Sequence, residues 1–176
     1  ALAQGAATTI TVNYGVSDGT ATTAASVSWT VTGFNDGPVA SAATATVGED
    51  QAAGGARVAA DVVEGWGLMF EPYTGGPDGF ALNSDGTWTF DANQPEYQSL
   101  GEGESRDVAI DYVVTDDQGE TSVSTLTVTV TGANDAPTAS AATATVSEDG
   151  LVRGKVVVSD PDASPSLTVV PRHDRP

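Results

Sequence analysis

Residues 105–131 read SRDVAIDYVVTDDQGETSVSTLTVTVT, and two runs of alternation in this stretch decide the fold. Val108, Ile110, Tyr112 and Val114 alternate with polar or small residues. Beyond Asp116 and Asp117, which end the first run in a turn, Leu126, Val128 and Val130 do the same. A period of two gives a strand one buried and one solvated face. Upstream, Ile10, Val12, Tyr14 and Val16, then Val27, Trp29 and Val31, repeat the pattern, with Asp18 at the corresponding turn.

The likeness of these stretches is part of an internal repeat. VASAATATVGED (39–50) recurs as TASAATATVSED (138–149), and VTGFNDGP (31–38) as VTGANDAP (130–137). The chain therefore divides into the C-terminal part of one repeat (1–38), one complete repeat (39–137) and the N-terminal part of a third (138–176), a segment of a tandem array. Within the complete repeat, Phe80 and Leu82, then Asn83-Ser84-Asp85-Gly86, then Trp88 and Phe90, form a hairpin signal with Asp-Gly at the turn. Thr44 and Thr46 around Ala45, and Val58 onward, add two short strands. Five to seven strands with Gly-rich turns and no amphipathic helix pattern predict an all-β protein. The predicted architecture is an immunoglobulin-like or cadherin-like β-sandwich, repeated in tandem.

Composition narrows the function. The 176 residues carry 24 Asp plus Glu against 6 Lys plus Arg, one His and no Cys, a net charge of −18. Such a surface repels nucleic-acid phosphates and anionic membranes. No apolar run approaches the roughly 18 residues of a membrane-spanning helix, so no membrane insertion is expected. Without Cys there are no disulfides, thiolate metal sites or cysteine nucleophiles. A single His, His173 near the C-terminus, leaves little for Ser-His-Asp chemistry. No pair of carboxylates is placed across a cleft, and the chain is read as a non-enzyme.

The acids collect at turns and at the repeat junctions. Asp116 and Asp117 end a strand, Asn134 and Asp135 sit in the connector, Glu148 and Asp149 open the third repeat, and Asp160 and Asp162 follow its second strand. Oxygen ligands from several loops are what Ca²⁺ takes, six to eight at a time. For any single turn the alternative is an ordinary Asn-Asp turn closed by Pro137. Two other calcium motifs fail. Asp160-Pro161-Asp162 starts like an EF-hand loop, but Pro165 stands where that loop needs Gly and Pro171 where it needs Glu. The glycine-rich nonapeptide is absent, and Gly75-Gly76-Pro77-Asp78-Gly79 is only a turn. Trp66, Met69, Phe70 and Tyr73 cluster in GWGLMFEPYTGG (65–76), either as core or as a sugar-stacking loop. Trp29 and Trp88 read as core.

The combination SDGTWTF, YQSL, TDDQGET and VTGANDAP resembles the VCBS repeat of very large bacterial surface proteins and RTX-type adhesins. It also resembles the frame of cadherin repeats. The cadherin resemblance implies Ca²⁺ between domains. It is held by an Asn-Asp-x-Pro linker (Asn134, Asp135, Pro137), an early glutamate (Glu148), an Asp-x-Asp (Asp160, Asp162) and an aspartate turn (Asp116, beside Asp117). Leu100-Gly101-Glu102-Gly103-Glu104 matches the Leu-Asp-x-Glu segment loosely, so either Glu102 or Glu104 is the ligand. The aligned set for the first junction is weaker: Asp18, Asn35, Asp36, Glu49 and Asp61. There Gln4 and Ala6 replace the glutamates and Val63 the second aspartate, so the second junction is expected to bind Ca²⁺ more tightly. The function implied is a calcium-rigidified extender module of a secreted bacterial adhesin, at the cell surface, with neighbouring repeats as partners. The alternative is a module that binds polysaccharide or another surface protein through the 64–80 loop.

Overall fold

A computed structural model of the chain describes residues 2–56, 59–60, 67–163 and 165–171. Its elements are all strands: β1 (Ala7–Ser17), β2 (Thr22–Thr32), β3 (Val39–Ala40), β4 (Ala43–Gly48), β5 (Ala52–Gly55), β6 (Ala59–Ala60), β7 (Met69–Pro72), β8 (Phe80–Leu82), β9 (Trp88–Asp91), β10 (Ser105–Thr115), β11 (Thr121–Thr131), β12 (Thr138–Ala139) and β13 (Val158–Ser159). Nine of them, β3 to β11, fall within the complete repeat. That exceeds the expected five to seven because β3 and β6 are a two-residue pairing of their own.

The complete repeat is a sandwich. One sheet has the order β4-β11-β10-β7 and the other β5-β9-β8. The stretch 105–131 is an antiparallel hairpin whose register runs from Ser105↔Thr131 to Thr115↔Thr121. β4 lies parallel to β11, from Leu126↔Ala43 to Thr131↔Gly48. The alternation read in sequence is the burial pattern. Ile110, Tyr112, Val114, Leu126, Val128 and Val130 point inward from one sheet and meet Trp88 and Phe90 of the other, with Val47, Phe70 and Tyr97 completing the core. Most outward residues are polar, Val113 paired with the exposed Val123 excepted, and Asp107 and Asp111 accept hydrogen bonds from the hydroxyls of Thr129 and Thr125. The expected hairpin at 80–90 is β8–β9, turned by Gly86 at φ 83°. A left-handed backbone of that kind favours glycine.

The flanks are each part of this design. β1 and β2 form the first repeat's copy of the β10–β11 hairpin, Ala7↔Thr32 to Ser17↔Thr22. β12 pairs with β13 as β3 pairs with β6. Trp29, expected in a core, is 47% exposed. It has the right alternation, but among the described residues no second sheet covers that hairpin. Of the aromatic cluster, Phe70 is buried while Met69 and Tyr73 are exposed. Trp66, Asp61, Val58 and His173 lie outside the described residues.

Candidate metal centre

Strand length determines which acids can share a junction. β10 has 11 residues; at roughly 3.3 Å per residue a strand of that length runs about 35 Å. Asp116 stands at its turn end, and the linker 132–137 leaves from the other end of the hairpin. The two cannot meet. Asp116 faces the first linker instead: Asn35 donates from Nδ2 to Asp116 Oδ2 at 2.8 Å. Its other oxygen accepts the backbone N–H groups of Gln118 and Glu120, at 2.9 and 2.8 Å. These donors, Asn35 first, hold the Asp116 carboxyl below the usual carboxylate range. Asp117 beside it is exposed and accepts from Gln118 Nε2.

The same reasoning moves Glu49. β4 runs parallel to β11, so both strands end at the second linker. Glu49 leaves β4 there, donates its N–H to the carbonyl of Thr131 and accepts from Ala133 N through Oε1 at 2.6 Å. The residue is 1% exposed, and its second oxygen, Oε2, is buried with no hydrogen-bond partner. A buried carboxylate oxygen left unpaired is costly and calls for an explanation.

The grouping drawn from sequence placed Asp116 and Glu148 at the second junction, and Asp18 and Glu49 at the first. The structure crosses these assignments. Asp116 is at the first junction with Asn35. Glu49 is at the second with Ala133. Asp18 sits in the β1–β2 turn, where the backbone N–H groups of Ala21, first, and Thr20 donate to its Oδ1 and lower its pKa, at the hairpin end remote from Asn35 and Asp36. Glu148, exposed in the turn 147–150, occupies the place of Glu49 one repeat later and belongs to that repeat's far end. The signal was available in sequence: turn residues of a hairpin and residues beyond its open end lie on opposite sides.

At the second junction three loops come together with the linker. Ala163 donates its N–H to the carbonyl of Ser99 at 2.9 Å, and Asp135 N contacts both carboxylate oxygens of Asp162 at 3.4 and 3.3 Å. Asp162 N is held by Asp160 Oδ1. Burial first, then Asp162, Asp50 and Asp160, push the Asp135 carboxyl above its ordinary value. Asp50 is a member that the sequence reading missed. Glu104 folds back on Gly101 N, Glu102 is exposed in the same loop, and Asn134 donates to the carbonyl of Asp135. Gly132 permits the close approach: a Cβ there would run into the carbonyls of Leu100 and Gly101, as one at Gly33 would into those of Leu2 and Ala3. At the first junction Asp36 is exposed and Asn35 Oδ1 is buried without a partner.

Among the described residues no group of three or more His, Cys, Asp or Glu side chains is drawn onto a common metal position. The donor set at the second junction nevertheless suits a hard cation: all its ligand atoms are oxygens, and one buried carboxylate oxygen lacks a partner.

Residues 35–131 match the sequence profile of a family described as Bacterial Ig domain. No curated protein matches the chain. Among solved structures, the chain is similar to PcdhgB3 EC1-4, with a TM-score of 0.54 and 17% identity over 90% of this chain and 41% of that one. It is similar to Protocadherin Gamma B7 extracellular cadherin domains 1-4, with 0.54 and 18% over 89% and 41%. For Protocadherin Gamma B2 extracellular cadherin domains 1-5 the values are 0.53 and 15% over 90% and 32%. The chain thus spans 41% or less of these structures, and at such identities the likeness is one of fold.

Proposed function

This chain belongs to the bacterial Ig domain family, and from that premise we propose that it is an extracellular spacer segment of a bacterial surface adhesin, stiffened by Ca²⁺ at the repeat junctions. The observation that carries the reading is the unpaired, buried Oε2 of Glu49 at the end of the sandwich where Asp50, Asp135, Asp160 and Asp162 gather. A divalent cation there would neutralise their mutual repulsion. Glu49, Asp135, Asp160 and Asp162 would hold it, with Asp50, Asn134 and Glu102 or Glu104 as further oxygen donors. The chain's own part is to bring the four segments together. β4 and β11 deliver Glu49 and the linker to one end, and the Ala163–Ser99 bond docks the third repeat's loop on the second. Membership of a VCBS-type array in an RTX adhesin is part of this proposal.

In the same reading the second junction binds more tightly than the first. At the first, the Asp116 carboxylate is already satisfied by three protein donors, and Gln4 and Ala6 stand where the second has glutamates. Extracellular modules need only a weak site, roughly 10⁻⁴–10⁻³ M. Calcium titration by calorimetry, with scattering in parallel, tests it. Saturable binding in that range, a raised melting temperature and a changed maximum dimension are expected, with Asp135→Ala more damaging than Asp36→Ala. No heat and an unchanged melting temperature in chelator would end the reading.

A second reading rests on Tyr73, which is exposed beside the Gly-rich 74–79 segment. An outward tyrosine in a loop can stack on a sugar ring. Tyr73→Ala on a glycan array tests it: polysaccharide binding lost on that change supports the reading, and no binding by the unaltered chain removes it.

A further inference from the structure

The outward face of the complete repeat carries apolar side chains that the fold does not ask for. Val113 pairs with Val123 across the hairpin and with Glu71 of β7 on its other side. One row toward the turn, Met69 stands opposite Thr115; one row the other way, Tyr73 N donates to the carbonyl of Asp111. Buried Phe70, Tyr112 and Val114 alternate with these residues, so Val113, Val123, Met69, Tyr73, Glu71 and Asp111 share the solvent side. Val123, Met69 and Tyr73 are 51%, 54% and 61% exposed. With strands about 4.8 Å apart and same-face residues about 6.8 Å apart, the six span a patch of roughly 10 by 14 Å. The β1–β2 hairpin shows what the frame itself needs. At the same places it has Gly15 opposite Ala24 and Asn13 opposite Ser26, where the complete repeat has Val113 opposite Val123 and Asp111 opposite Thr125. The valines and the acid are additions to one repeat's outer face, and an exposed apolar patch with a polar rim marks an interaction site.

We propose that this patch docks a basic segment of another protein, one that carries Lys or Arg beside aliphatic or aromatic side chains. Glu71 and Asp111 are exposed and make no ion pair among the described residues. The hydroxyl of Thr125 holds Asp111 in place. The two acids flank Val113, Glu71 beside it and Asp111 two residues before it. An ammonium or guanidinium set between them lays its methylene stem over the valines. Tyr73 offers its ring to the same cation. A second copy of this chain is the wrong occupant, because residues 39–137 hold 17 acids against two bases and like charges repel. The same field steers a basic partner toward the face. The docking needs no metal.

Panning a random dodecapeptide phage library on the unaltered chain, with chelator present, tests this. The enriched peptides are expected to combine Lys or Arg with aliphatic or aromatic residues. A synthetic peptide of the consensus should bind in fluorescence anisotropy, more weakly as salt rises. Val113→Thr with Val123→Thr keeps the branched shape and the strand preference, and should weaken that binding roughly tenfold. Glu71→Gln with Asp111→Asn should weaken it as much and flatten its salt dependence. Asp107→Asn, two rows away on the same face, is the control for general attraction to an acidic protein and should change affinity less than about twofold. Unchanged melting temperatures will show that the variants fold. A glucosamine oligomer, cationic but without apolar side chains, should not compete. No basic and apolar consensus, binding that the valine variant leaves intact, or displacement by the glucosamine oligomer would overturn the proposal.

Discussion

At the scale of single residues, the most informative atom is the unpaired oxygen of Glu49. Glu49→Gln keeps an acceptor for Ala133 N and removes the buried charge, so stability in chelator should hold or rise. The gain in melting temperature on adding Ca²⁺ should fall to less than half, which paired melts with and without the ion will decide. Gly132→Ala meets two backbone carbonyls, and a loss of about 1–3 kcal/mol in denaturant titration is expected for such overpacking. Gly75, with open space around it, is the control, with Gly75→Ala within about 0.5 kcal/mol of neutral. Tyr97 supplies a pH signature. Burial, then the neighbouring Glu96, push its phenol up to about 12. A raised folded-state pKa keeps its contribution whole below the unfolded value of about 10 and loses it as pH climbs toward the folded one. Melting temperature should therefore drop between those limits, and Tyr97→Phe should lessen the drop, leaving the share of Tyr112, whose phenol burial also raises.

At the scale of elements, the strands were legible because alternation is a local property. Val108 to Val114 and Leu126 to Val130 carried their burial pattern in the order of the letters, and Asp85-Gly86 carried its turn. What sequence alignment obscured was which end of a strand each acid occupies. Asp116 and Asn134 are 18 positions apart in the chain yet at opposite ends of a hairpin, while Glu49 and Ala133 are far apart in the chain and bonded. Only the parallel pairing of β4 on β11, a non-local contact, brings the last two together. Trp29 was misread for a related reason: alternation reports that a face is apolar, not that something covers it. This separates two truncations. Phe90→Ala, in β9 and fully buried, should cost about 3–5 kcal/mol in urea unfolding. Trp29→Ala, on the open hairpin, should leave the main transition in place.

At the scale of the whole molecule, the sandwich has a direction. The chain enters the sandwich near Asn35 and Asp116 and leaves it beyond Thr131, at the opposite end. β4 and β11 both run from the first end to the second, side by side, over six paired positions. If the sandwich is pulled between these two ends, β4 is drawn backward from its start and β11 forward from its finish. The two strands must slide past each other, so the bonds of that ladder share the load and give way together. An antiparallel pair pulled from adjacent ends would instead open one bond at a time. The parallel register thus orients the sandwich to resist shear between its entry and exit ends.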